Sequence, residues 1–193
     1  MVVIKMKHYI SDLHFGHKNV LKFDNRPFSS VEEMNQTILD NWNNTIKNND
    51  DVYLLGDIFW KNDLADEILH KLKGQKHLIL GNHDRINNTM KKEYVSIQEY
   101  KRIKDCGLDV ILSHYPIAHW DGQFHGSIHL YGHIHITQDR AFYEMYMDYC
   151  KTEGGLKFNA INVGCMMEYM GYTPRNLEYL LRVCGMGDLL KTA

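Results

Sequence analysis

The sequence predicts an α/β fold in which two β-sheets pack together with helices outside them. Three observations carry this. Strand-like apolar runs alternate with helical runs through the first half of the chain, and strand-like runs crowd the second half. No Ser/Gly-rich linker, internal repeat or low-complexity tract divides it. Its 193 residues suit one domain, 1–193, with a sizeable core.

Taken in order, "VVIKMKHYI" reads as a strand and "SSVEEMNQTILDNWNNTI" as a helix, with Ser30 and Glu33 spaced for a capping box. "DVYLL" follows as a short strand, "LADEILHKL" as a helix and "KHLIL" as another strand. Further strands are expected in "YVSIQEYKRI", "LDVILS", "SIHLYGH", "AFYEMYMDY" and "LKFNAINVG". Pro174 precedes a closing helix in "PRNLEYLLRV". Trp42 and the series Tyr143, Tyr146, Tyr149 read as core or sheet-face residues.

Composition narrows the function. A formal net charge of −2 supplies no basic field for nucleic acid or an anionic membrane. The first run is broken by lysines, and no apolar run is long enough to span a bilayer. Cys106, Cys150, Cys165 and Cys184 are scattered without a CxxC pair, a pattern of reduced thiols that points to the cytoplasm. Twelve histidines are many for this length, and imidazole is the commonest side-chain metal ligand.

The chemistry gathers where strands end. "HYI" runs into "SDLHFGH", "VYLL" into "GDIF", "LIL" into "GNHD", "VILS" into "HYP" and "HLY" into "GHIH". Strand ends of an α/β sheet are where ligands collect, and glycine allows close approach of the backbone. Singly, Asp12 and Asp57 read better as caps and Asn82 as a turn residue, and His114 fits an ordinary loop histidine. The two histidines of "YGHIH" alone fit two imidazoles on one face of a strand end. Caps and turns would not select this ordered set of residue types.

These blocks resemble the calcineurin-like metallophosphoesterase pattern D-x-H, G-D, G-N-H-D/E, a further His and G-H-x-H. The resemblance spans Asp12 to His135, about two thirds of the chain. "NVGCMMEYMGYTP" also resembles a segment of small bacterial and phage members, while Ser113 stands where many members carry glycine. The resemblance implies a four-layer α/β/β/α sandwich. It also implies a dinuclear centre, with Asp12, His14 and His135 on one metal, Asn82, His114 and His133 on the other, and Asp57 bridging them. A pair of this kind is typically separated by roughly 3.5–4 Å. The oxygen and imidazole donors, without thiolate, suit manganese foremost, with iron, nickel or zinc also compatible. Two divalent cations against two carboxylates leave a positive cluster that attracts a phosphate.

The implied activity is hydrolysis of a small phosphomonoester or phosphodiester by a bridging hydroxide, as a phosphatase or phosphodiesterase. His83 is expected to assist the leaving group, with Asp84 orienting it; a histidine that only packs is the competing reading. His17 and Arg26 are expected to grip a non-bridging phosphate oxygen, although a surface arginine or a core histidine fits the sequence as well. His119, His125 and His129 read as solvated or structural. Two alternatives remain at this level: a nuclease, disfavoured by the charge, and a non-catalytic scaffold, disfavoured by retention of every ligand and of His83.

Overall fold

A computed structural model describes residues 5–155 and 157–191 as a mixed α/β protein built on two sheets. The first sheet contains β1 (Lys7–Ile10), β2 (Asp51–Leu54), β3 (Gln75–Ile79), β4 (Tyr94–Gln98) and β9 (Arg175–Asn176). Its order is β4-β3-β2-β1-β9, with β1 to β4 parallel and β9 antiparallel to β1. The second sheet contains β5 (Tyr100–Asp105), β6 (Leu108–Ser113), β7 (Ile128–Tyr131) and β8 (Ala160–Asn162), in that spatial order. Here β6, β7 and β8 are parallel and β5 pairs antiparallel with β6.

The helices are α1 (Val20–Phe23), α2 (Val31–Thr45), α3 (Ala65–Lys71), α4 (Asn88–Glu93), α5 (Gln138–Thr152) and α6 (Leu177–Val183). One core cluster joins Tyr9, Leu54 and Leu78 of the first sheet to Val110, Leu112 and Leu130 of the second. It also takes in Met34, Ile38 and Trp42 of α2 and Leu177, Leu180 and Leu181 of α6. Alternation along β6 turns Ile111 the other way, into a second cluster with Trp120, Cys150 and Phe158 beneath α5.

Local chemistry explains most element boundaries. Ser30 caps α2 by accepting the Glu33 N–H at 3.1 Å. The reciprocal half of the box falls one residue earlier than expected, because the Glu33 carboxylate accepts from Ser29 N at 2.8 Å. Asn176 caps α6 in the same manner through Tyr179 N.

Two expected strands are corrected. "AFYEMYMDY" lies within helix α5, not a strand. Tyr143, Tyr146, Met147 and Cys150 recur at helical spacing and face the second cluster, whereas Phe142, Met145 and Tyr149 are exposed. Aromatic richness favours strand and masked that period. "YVSIQEYKRI" breaks at Glu99 into β4 and β5, which belong to different sheets. The early part of "VVIKMKHYI" and Leu156 of "LKFNAINVG" lie outside the described residues. Among the described residues all four cysteines are free, and no helix is long and apolar enough to cross a membrane.

Candidate metal centre

All five ligand blocks follow the C-terminal ends of parallel-sheet strands. Asp12 follows β1, Asp57 follows β2, Asn82 follows β3, His114 follows β6 and His133 follows β7. Loop bonds stitch these ends together. Asp12 N donates to Gly56 O at 3.0 Å, His14 N to Asp57 O at 3.0 Å and Gly132 N to His114 O at 2.9 Å. Ser11 N donates to Val163 O and Cys165 N to Ser11 O, each at 2.9 Å, which ties the first sheet to the second beside the site.

The turns are tight. Asp12, His14, Asp57 and His133 have φ of 56°, 51°, 55° and 67°. This left-handed region costs a non-glycine residue on the order of 1–3 kcal/mol and collects at functional sites. Gly81 permits a close approach: a Cβ there would run into the Asp57 carboxylate and lie 2.6 Å from Asp57 N. Gly81→Ala is therefore expected to destabilise the fold by about 1–3 kcal/mol and to weaken metal uptake with it. Thermal unfolding and metal titration of the variant check this; unchanged values in both would contradict it.

Asp12, His14 and His135 each present a ligand atom, all within 4.8 Å of one another, and Asp57, His114 and His133 form a second such group. The Asp57 carboxylate lies between the groups, with Oδ2 3.8 Å from His14 Nε2 and 3.6 Å from His114 Nε2. Asn82 Oδ1 joins the second group 3.1 Å from His114 Nε2. His133 lies beyond the end of β7, and its N–H donates to Asp12 at 3.1 Å, so the two histidines of "YGHIH" turn into different groups.

The donor set fits a pair of cations. His114 Nδ1 lies 2.7 Å from Leu55 O, a carbonyl that can only accept, so Nδ1 carries the proton. Nε2 then presents a lone pair toward Asn82 Oδ1, and two acceptors face one another across a gap suited to a cation. Burial, with His135 and Arg26 adding to it, holds His14 well below its ordinary pKa, in the neutral form that binds metal. Burial would also lower His135, but Asp24 and Asp12 outweigh it and raise the pKa. A field that favours a proton there also favours a metal ion.

His83 stands at the mouth. Its side chain is 40% exposed, and Nε2 is 3.9 Å from Asp57 Oδ2. Trp60 lies beside it, with ring centroids 5.0 Å apart. The other face of the site holds Tyr115, whose ring centroid is 4.5 Å from that of His133. His17 stacks on Trp60 at 3.7 Å and 2°, and burial pushes its pKa down to about 4, with His83 the next contribution. It borders the site with its ring centroid 5.4 Å from that of His14.

Two expected roles are corrected. Asp84 does not orient His83: its carboxylate accepts backbone N–H groups of Gly81 at 2.8 Å, Asp57 at 2.9 Å and Ile58 at 3.0 Å. It clamps the second and third ligand loops together. Arg26 does not reach a phosphate either, because its side chain has 0% exposure. Its guanidinium donates to Asp12 O at 2.8 Å, Leu13 O at 3.0 Å and Asp24 Oδ2 at 3.0 Å. Breaking a buried ion pair strands the surviving charge, so Arg26→Met should cost about 3–5 kcal/mol in denaturant unfolding. A loss under about 1 kcal/mol, the range of exposed pairs, would contradict the burial.

Sequence reasoning missed Asp24. Its buried carboxylate lies 2.9 Å from His135 Nδ1 and pairs with Arg26. The acid and base in "DNR" are the sole sequence signal, and they do not point to His135. His129 is buried between Ile111 O and Ile117 N, with burial lowering its pKa to about 4, so it is structural; His119 and His125 are exposed.

Fold and site together define an α/β protein with paired Asp/His clusters at its strand ends. The chain is 32% identical over 186 residues to the uncharacterized protein MJ1445 of Methanocaldococcus jannaschii, covering 95% of this chain and 93% of that one. It belongs to that protein's family. The gene 66 protein of Mycobacterium phage L5 is 31% identical over 160 residues, 66% of this chain and 76% of that protein. In fold, the crystal structure of the Aquifex aeolicus protein of unknown function AQ665 aligns with a TM-score of 0.71 and 24% identity, over 93% of this chain and all of that one. No family model matches the sequence.

Proposed function

We propose that this chain is a dinuclear metal-dependent phosphoester hydrolase of the calcineurin-like metallophosphoesterase type, a single-domain four-layer α/β/β/α sandwich. The observation that carries the reading is the Asp57 carboxylate shared between two converging ligand groups, with His83 at their open edge. Asp12, His14 and His135 would hold one divalent ion, and Asn82, His114 and His133 the other, with Asp57 serving both. Manganese suits these donors, and iron, nickel and zinc are compatible. Such ions supply Lewis acidity and acidify water at neutral pH.

The chain's own residues supply the rest. Asp84 holds the Asp57 and Asn82 loops in register. His83, with its side chain 40% exposed and Nε2 3.9 Å from Asp57 Oδ2, would give a proton to the departing oxygen. Trp60 and Tyr115 flank the opening, beside His83 and His133 respectively. The net charge of −2 favours a small phosphorylated substrate over nucleic acid. Free cysteines suit a cytoplasmic setting. The test is turnover of p-nitrophenyl phosphate and its bis-ester by manganese-loaded protein. Activity abolished by chelator is expected; no turnover of either ester with both ions bound would reject the hydrolase reading.

A further inference from the structure

We propose that Asp24 and Arg26 are positioning residues that make the two metal positions unequal, so that the position of Asp12, His14 and His135 fills first. This rests on the dinuclear reading above. Asp24 Oδ2 is 2.9 Å from His135 Nδ1, and a carboxylate there only accepts, so the ring proton sits on Nδ1 and Nε2 turns to the site. His135 Nε2 is accordingly 3.2 Å from His14 Nε2 and 3.7 Å from Asp12 Oδ1. A carboxylate behind a ligating histidine fixes the ring and raises its donor strength.

The same guanidinium that neutralises Asp24 also grips Asp12 O and Leu13 O. One buried cation thus fixes the backbone of one ligand and the carboxylate behind another. Within this group His14 Nδ1 is buried with no hydrogen-bond partner among the described residues, so the orientation comes from the Asp24–His135 pair.

The second position is built differently. His114 leans on a neutral carbonyl, Leu55 O, at 2.7 Å, and Asn82 contributes an uncharged amide. With Asp57 shared, only the first position has, among the described residues, a carboxylate of its own, Asp12, and a carboxylate-backed histidine. Arg26 opposes a cation here but is paired with Asp24, so the unshared carboxylate of Asp12 and the basicity of His135 favour the first position.

The test is calorimetric titration of the full chain with manganese, with ions counted per chain. The parent should bind in two steps, and Asp24→Asn should weaken the tighter step by about 10–100-fold while leaving the other nearly unchanged. Because Asp24→Asn strands a buried arginine, Asp24→Asn/Arg26→Gln is measured alongside it and should show the same selective loss. Equal weakening of both steps, or loss of the weaker step alone, would overturn the proposal. A second measurement needs no variant: in crystals of the parent given one equivalent of manganese, anomalous scattering should fall beside Asp12, His14 and His135. Scattering beside Asn82, His114 and His133 instead would overturn it. Should the parent take up no pair of ions at all, the dinuclear reading falls first and the inference with it.

Discussion

Asp57→Asn is expected to give the largest loss of any single substitution at the site. The change keeps the size of the side chain and its ability to accept the His83 N–H, now 2.9 Å from Oδ1. It removes the one charge that lies between His14 Nε2 and His114 Nε2. An amide oxygen serves two cations poorly, so both positions should weaken together, and the ions that remain should sit without their shared anion. Loss of one electrostatic contact to a transition state typically costs about 10²–10³-fold in rate. Loss of the bridge should exceed that, and should exceed the effect of His14→Ala, which strips one position only. Rates and bound metal measured on both variants decide it; an equal or reversed ranking would remove Asp57 from the bridge.

The second large effect belongs to His83. Replacement by alanine should lower turnover by ~10²–10⁴-fold, the range of general acid assistance, with both ions still bound. Its ring is no member of either ligand group, and its side chain is 40% exposed at the mouth. The deficit should shrink for p-nitrophenolate, which leaves without a proton, and grow for an alkoxide. A variant that drops an ion would place His83 among the ligands. An equal deficit for both leaving groups would reduce it to a packing residue.

How much of this the sequence discloses depends on the range of the interactions involved. The five ligand blocks are legible because each couples an apolar strand to a polar residue within one or two positions, and the observed strands end at or one residue before the ends of those runs. The left-handed turns at Asp12, His14, Asp57 and His133 fall on Asp and His, residue types that tolerate this region. Helix α5 was hidden because its aromatic residues favour strand while the cluster beneath it, Ile111, Trp120 and Phe158, comes from distant segments. Arg26 is near the first ligand loop both in sequence and in space, but nothing local says that it points inward to Asp12 O instead of outward. Asp24 is the extreme case, since its partner His135 is 111 residues away.

One carboxylate shared between two metal positions should be visible in electron paramagnetic resonance of the manganese-loaded chain, with ions counted in the same sample. Two ions per chain and an exchange-coupled signal are expected, because Asp57 Oδ2 lies within 4 Å of both His14 Nε2, at 3.8 Å, and His114 Nε2, at 3.6 Å. A single tightly held ion per chain, or two with the spectra of isolated centres, would contradict it.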